Sequence, residues 1–174
     1  IYFTTGGSEA TEGAIKLAKR VTGRFETVSF KHAYHGSTQG ALSLMGDEFF
    51  KSGYRPLIPG NTVLDYNSHS ALQHIGEQTA AVIIEPTQGE AGIRKGEKDF
   101  FKALRDRCNK TGCLLIFDEI QTGFGRTGSL FAFEQLEVVP DILLVAKGMG
   151  GGLPIGAFIS SSRLMNAFTH NPVL

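Results

Sequence analysis

A layered α/β domain on a mostly parallel sheet is the fold class this sequence predicts, and three observations carry the prediction. Short apolar runs of strand length alternate with stretches in which apolar residues recur at helical spacing. Two of the runs end in a charged residue. Asp118 closes GCLLIFDE, and Lys147 follows DILLVA and precedes GMGGGLP, so in a parallel sheet both emerge beyond strand carboxyl ends, where ligands bind. No internal repeat, low-complexity linker or charge block divides the chain into two domains.

The elements follow in order. Residues 1–5 finish a short strand, and Gly6, Gly7 and Ser8 lead into the helix EATEGAIKLAKRVTG, with Ala14, Leu17, Ala18 and Val21 on one stripe and Ser8 placed to cap it. Residues 25–30 alternate as a strand, HAYHGST is a turn, and Gly40–Met45 form a compact element. Residues 47–61, with two prolines, read as a loop. Thr62–Leu64 is a short strand, SHSALQHIGEQ a modest helix and AAVIIE a stronger strand that ends at Glu85. PTQGEAGIRKG holds too many turn residues for a strand interior. GEKDFFKALRDRCNKTG is a helix with Phe100, Leu104 and Cys108 on its apolar stripe and Gly112 as its stop. Leu114–Phe117, Ile142–Val145 and Ile155–Ile159 are further strands, separated by glycine turns and by the amphipathic LFAFEQLEV.

Composition narrows the function. The 174 residues, 41% apolar and 20% charged, suffice for one sizeable core. Lys+Arg and Asp+Glu both number 17, which supplies no long-range attraction to nucleic acid or anionic lipid. Cys108 and Cys113 make neither a disulfide framework nor a four-ligand metal site, and a reducing, cytoplasmic compartment is expected. No run is long enough to span a membrane, and no targeting segment opens the chain. The start at Ile1 and the end at HNPVL, without a periodic element, point to a piece of a longer protein.

Several positions invite chemistry, most with a plainer alternative. Backbone N–H groups of Gly7 and Ser8 at a helix entry suit a phosphate, although glycine and serine are ordinary there, and neither GxGxxG nor GxxxxGK[ST] is present. Tyr34 offers an aromatic face to a planar heterocycle, or simply packs in the core. His35 reads as a satisfied polar residue, and His32 with His35 is too small a set for zinc, so no metal is expected. Asp118 can stabilise a protonated ring nitrogen or serve as a cap or ion pair, and Gln121 can donate to a phenolic oxygen. Glu119 points to solvent or holds the loop. Lys147 carries an amine competent for covalent chemistry, against the usual solvent exposure of lysine.

FTTGGSEATEGAIKLAKR, HAYHGST, IIEPTQGEAG, LLIFDEIQTGFGRTG and PDILLVAKGMGGGLPIG together resemble the class-III, fold-type-I pyridoxal-phosphate aminotransferases, over residues 3 to 172. The last two segments are the most specific. The resemblance implies the doubly wound, cofactor-binding large domain of such an enzyme over residues 1–174, with a small C-terminal domain in the parent protein. It implies pyridoxal 5'-phosphate as cofactor, an amine or omega-amino acid as donor, a 2-oxo acid as acceptor, and a homodimer. Lys147 is then similar to the lysine that forms the internal aldimine and shuttles the proton, Asp118 to the partner of the ring nitrogen, Gln121 to the ring-oxygen contact and Tyr34 to the stacked aromatic. Gly7 and Ser8 resemble the phosphate turn, Glu85 a residue that ties down the cofactor and substrate side of the pocket, and Glu90 a glutamate that can pair with or release a substrate-binding arginine from the small domain.

Two departures stand out: Thr5 and Gly6 where the family often has asparagine or serine, and Ser37 where it often has arginine. The family's threonine-containing phosphate loop and substrate arginine fall beyond this chain, so the fragment alone is expected to be inactive. A racemase, aminomutase or decarboxylase of the same fold, a noncatalytic α/β binding or assembly module, and an unrelated dinucleotide enzyme remain alternatives.

Overall fold

Seven strands form one sheet with helices on both faces, in a computed structural model that describes residues 1–170. The segment after His170, which the sequence leaves without a periodic element, lies outside the described residues. In chain order the elements are β1 (Tyr2–Thr4), α1 (Gly7–Thr22), β2 (Glu26–Phe30), α2 (Gln39–Ser43), α3 (Glu48–Lys51), β3 (Asn61–Leu64), β4 (Thr79–Ile84), β5 (Thr87–Gln88), β6 (Arg94–Lys95), α4 (Lys98–Thr111), β7 (Leu114–Asp118), α5 (Phe133–Leu136), β8 (Ile142–Val145), β9 (Gly156–Ser160) and α6 (Ser162–Met165). The sheet order is β1-β9-β8-β7-β4-β2-β3.

The run β3-β2-β4-β7-β8 is parallel throughout, whereas β9 is antiparallel to both β8 and β1. Two reversals across β9 leave β1 running in the same direction as β8. The carboxyl ends of β1, β2, β4, β7 and β8 therefore share one edge of the sheet.

Strand alternation sorts the core into two layers. Ala81 and Ile83, Leu114 and Ile116, and Ile142 and Leu144 pack with Ala10, Ala14, Leu17 and Ala18 of α1. Their neighbours Val82 and Ile84, Leu115 and Phe117, and Leu143 and Val145 pack with Phe100, Phe101, Leu104 and Cys108 of α4. Both faces being covered explains why these runs are apolar without interruption. Left-handed Gly23 and Gly112 end α1 and α4, the latter as the sequence indicates.

Several local expectations are corrected. Ser8 does not cap α1. It lies inside the first turn with Gly6 as the flanking residue, and its Oγ accepts the Ser37 N–H at 3.1 Å. The 47–61 loop contains α3, started by the Asp47 side chain accepting the Phe49 N–H. SHSALQHIGEQ gives only a 3₁₀ turn, His69–His74, because Leu72 and Ile75 are its buried apolar residues and lie three apart, the 3₁₀ period. PTQGEAGIRKG is not all turn: Thr87 pairs with Lys95 and Gln88 with Arg94 in a short antiparallel ribbon. LFAFEQLEV contracts to α5, which stops at Glu137 in the left-handed region.

Candidate functional site

The shared edge of the sheet, beyond the carboxyl ends of the parallel strands, holds a cavity of about 320 Å³. Gly7, Ser8, Tyr34, Glu85, Glu90, Asp118, Gln121 and Lys147, named from sequence, all line it. β1 delivers the start of α1, β2 the Tyr34 loop, β4 Glu85, β7 Asp118 with Gln121 just beyond, and β8 Lys147; Glu90 comes from the turn between β5 and β6. The lining also includes Ile120, Ala146, Leu153, Pro154 and Ile155, an apolar wall that sequence reading missed because these residues look like ordinary packing.

Asp118 is buried, and both its carboxylate oxygens are held. Oδ1 accepts the Ile120 N–H at 3.1 Å, and Oδ2 lies 2.8 Å from His35 Nδ1. An ionised carboxylate only accepts, so Nδ1 carries the proton in this pair. His35 is thus only in part the satisfied polar residue the sequence allowed: its Nδ1 is bonded to Asp118. Its Nε2 has no hydrogen-bond partner among the described residues. His32, by contrast, is exposed at positive φ, and no group of three or more His, Cys, Asp or Glu among the described residues is arranged to hold a metal.

Glu85 is buried as well, with Oε2 accepting the Tyr34 N–H at 3.2 Å. Burial lifts its carboxyl to about 7; the neighbouring Asp118 charge raises it further, while His35 and backbone N–H groups oppose the shift. Glu119 turns away and holds the following loop, accepting the Ala132 N–H at 3.0 Å, the Phe133 N–H at 2.8 Å and the Thr122 hydroxyl. Burial raises its carboxyl also.

Gln121 Nε2 donates to Glu90 Oε1 at 3.1 Å across the rim, and no arginine lines the cavity among the described residues. Tyr34 is 37% exposed, with its ring edge-on to Phe50 at 5.9 Å. Lys147 has φ 45°, a region that a side-chain-bearing residue rarely occupies, and directly follows the extended Ala146. It is exposed. Residues 1–170 alone do not give it the dry setting that its apolar flank suggests, because the side chain leaves from a glycine-rich turn past the strand end.

The family model for aminotransferase class-III matches residues 1–172. The chain belongs to the class-III aminotransferase family. Among curated relatives, the acetylornithine aminotransferase of Lactiplantibacillus plantarum is 45% identical over 168 residues, covering 97% of this chain and 43% of that protein. A [LysW]-aminoadipate semialdehyde/glutamate semialdehyde transaminase from Sulfurisphaera tokodaii is 44% identical, covering 90% of this chain and 41% of that one. Among solved structures, the ornithine aminotransferase of Toxoplasma gondii superposes with a TM-score of 0.93 at 31% identity, over 99% of this chain and 43% of the other. A PLP-bound amine transaminase from an uncultivated Pseudomonas species gives 0.92 at 31%, over 99% and 47%. This class-III chain therefore spans less than half the length of these relatives. Its doubly wound, mostly parallel sheet is the fold expected. No helix among the described residues is long and apolar enough to cross a membrane.

Proposed function

We propose that this chain is the cofactor-binding part of a pyridoxal-phosphate-dependent aminotransferase, which moves an amino group from an amine or omega-amino acid to a 2-oxo acid. The observation that supports it most is the meeting of the Lys147 amine, the buried Asp118 carboxylate and the N-terminus of α1 in a single cavity of a class-III chain. The residues present fit the cofactor. Backbone N–H groups of Gly7 and Ser8, which helix geometry leaves without intrahelical acceptors, suit a phosphate. The Asp118 carboxylate, held by His35, suits a protonated pyridine nitrogen, and the Lys147 amine suits an aldehyde carbon. When bound, pyridoxal phosphate supplies an electron sink for the bond broken at the substrate alpha carbon.

The chain's own residues divide the remaining work. Lys147 Nζ would hold the cofactor between turnovers and, when its amine is free, would carry the proton away from the substrate alpha carbon and back. Asp118 keeps the ring nitrogen protonated, and His35 keeps Asp118 aimed. Tyr34 and Gln121 fix the plane of the ring, Glu85 steadies the Tyr34 loop, and Glu90 serves the substrate end. The relatives' names favour omega-amino acid donors. A homodimer and a cytoplasmic location belong to the same reading, the latter in keeping with two free cysteines.

The test is a donor screen on the full-length protein with pyridoxal phosphate and 2-oxoglutarate, including N-acetylornithine and ornithine. Glutamate formation that disappears in Lys147→Ala is the result expected. Racemisation or decarboxylation of donors without glutamate would contradict it.

A further inference from the structure

Three polar side chains on the first turns of α1, Ser8, Thr11 and Glu12, have the spacing of neighbours on one helix face. All three hold the same loop, residues 34–41. The Thr11 side chain is fully buried, and its hydroxyl reaches His35 O at 2.9 Å and Gly7 O at 3.1 Å. A buried hydroxyl is costly unless bonded, so this link to a carbonyl 24 residues away pins the two segments together. Glu12 Oε1 accepts from Thr38 Oγ1 at 2.6 Å, the Gly40 N–H at 2.7 Å and the Ala41 N–H at 3.1 Å, a charge-assisted grip on the start of α2. Ser8 Oγ accepts the Ser37 N–H. The fit leaves little slack: a Cβ on Gly36 would lie 2.4 Å from Ser8 Oγ, and one on Gly40 would lie 2.1 Å from Glu12 Oε2.

The clamped loop carries Tyr34 and His35, and the clamping helix begins at Gly7, so one set of contacts fixes both ends of the cavity. We propose that Thr11 and Glu12 are positioning residues that set the separation between the helix N-terminus, which takes the phosphate, and the Tyr34–His35 loop, which takes the ring. This rests on the pyridoxal phosphate reading of the cavity. A ligand that engages both ends gains from a preset separation, whereas a ligand that engages one end does not.

That difference is the test. Equilibrium dissociation constants for pyridoxal phosphate and for inorganic phosphate are measured in the full-length protein and in its Thr11→Val, Thr11→Ser, Glu12→Ala and Glu12→Gln variants. Thr11→Val and Glu12→Ala should each weaken pyridoxal phosphate about tenfold while leaving inorganic phosphate within about twofold, and Thr11→Ser, which keeps the hydroxyl, should restore the affinity. Parallel loss of both ligands would overturn the inference, since the variants would then merely damage the helix terminus or the fold. Unchanged pyridoxal phosphate affinity would overturn it too. Should Thr11→Val fail to fold, the partly exposed Glu12 pair gives the same readings. A wild type that binds no pyridoxal phosphate would reject the proposed function itself; binding by the wild type with unaltered variants would reject only the positioning role.

Discussion

Glu85 shows how burial sets the behaviour of a single group. Its carboxyl is lifted from the ordinary 4.5 to about 7, chiefly by burial. Between those values the folded state binds more protons than the unfolded chain, so stability falls as pH rises through this window and the loss is complete above it. Glu85→Gln keeps an acceptor for the Tyr34 N–H and cannot ionise. The variant should therefore gain on the wild type by up to about 3 kcal/mol between pH 4.5 and pH 8, read from urea unfolding of the cofactor-free protein at several pH values. Equal pH profiles for the two proteins would contradict this. Asp118→Asn should fold but lose about 10²–10³-fold in amino transfer, because a neutral amide cannot keep a ring nitrogen protonated. Activity within a few-fold of wild type would remove Asp118 from the mechanism. Asp118 and Lys147 were legible because each interrupts an apolar run. Thr11 and Glu12 were not, since a threonine and a glutamate in an amphipathic helix look ordinary until partners some 24 to 29 residues away are seen.

At the scale of elements, α1 lies close on the sheet because Gly13 faces Phe158. A Cβ there would sit 2.3 Å from the ring, and the ring is fully buried, stacked on Tyr2 and edged by Phe168. Alanine improves helix propensity by about 1 kcal/mol, but overpacking of this kind costs about 1–3 kcal/mol. Gly13→Ala should consequently lower the urea midpoint, and a raised midpoint would mean that α1 packs less tightly than described. The helices α1 and α4 were readable because period and burial agree in them, and the strands β4, β7 and β8 because each carries an unbroken apolar run buried on both faces. The β5–β6 ribbon and the 3₁₀ turn at 69–74 were not: the first depends on cross-strand pairing through a glycine turn, and the second on burying only Leu72 and Ile75. The antiparallel direction of β9 was equally hidden, since an apolar run carries no sign of its polarity.

Across the whole molecule, two core layers share the central strands, while β1 and β3 lie at the sheet edges. Amide hydrogen exchange should be slowest in β4, β7 and β8 and faster in β1 and β3; edge strands protected as well as the centre would contradict the two-layer description. The same topology gathers the carboxyl ends of the parallel strands on one side, which is why residues spread from Gly7 to Lys147 reach one cavity. Resemblance to a family anticipated that gathering, whereas residue types alone left each position with a plainer alternative. The most direct test of the central claim is borohydride reduction of the full-length protein saturated with pyridoxal phosphate, followed by peptide mass mapping. Cofactor mass fixed on the peptide containing Lys147, absent from Lys147→Ala together with the visible absorption band, is the result expected; a folded protein that shows no band, or carries the mass on another lysine, would contradict the assignment of this cavity.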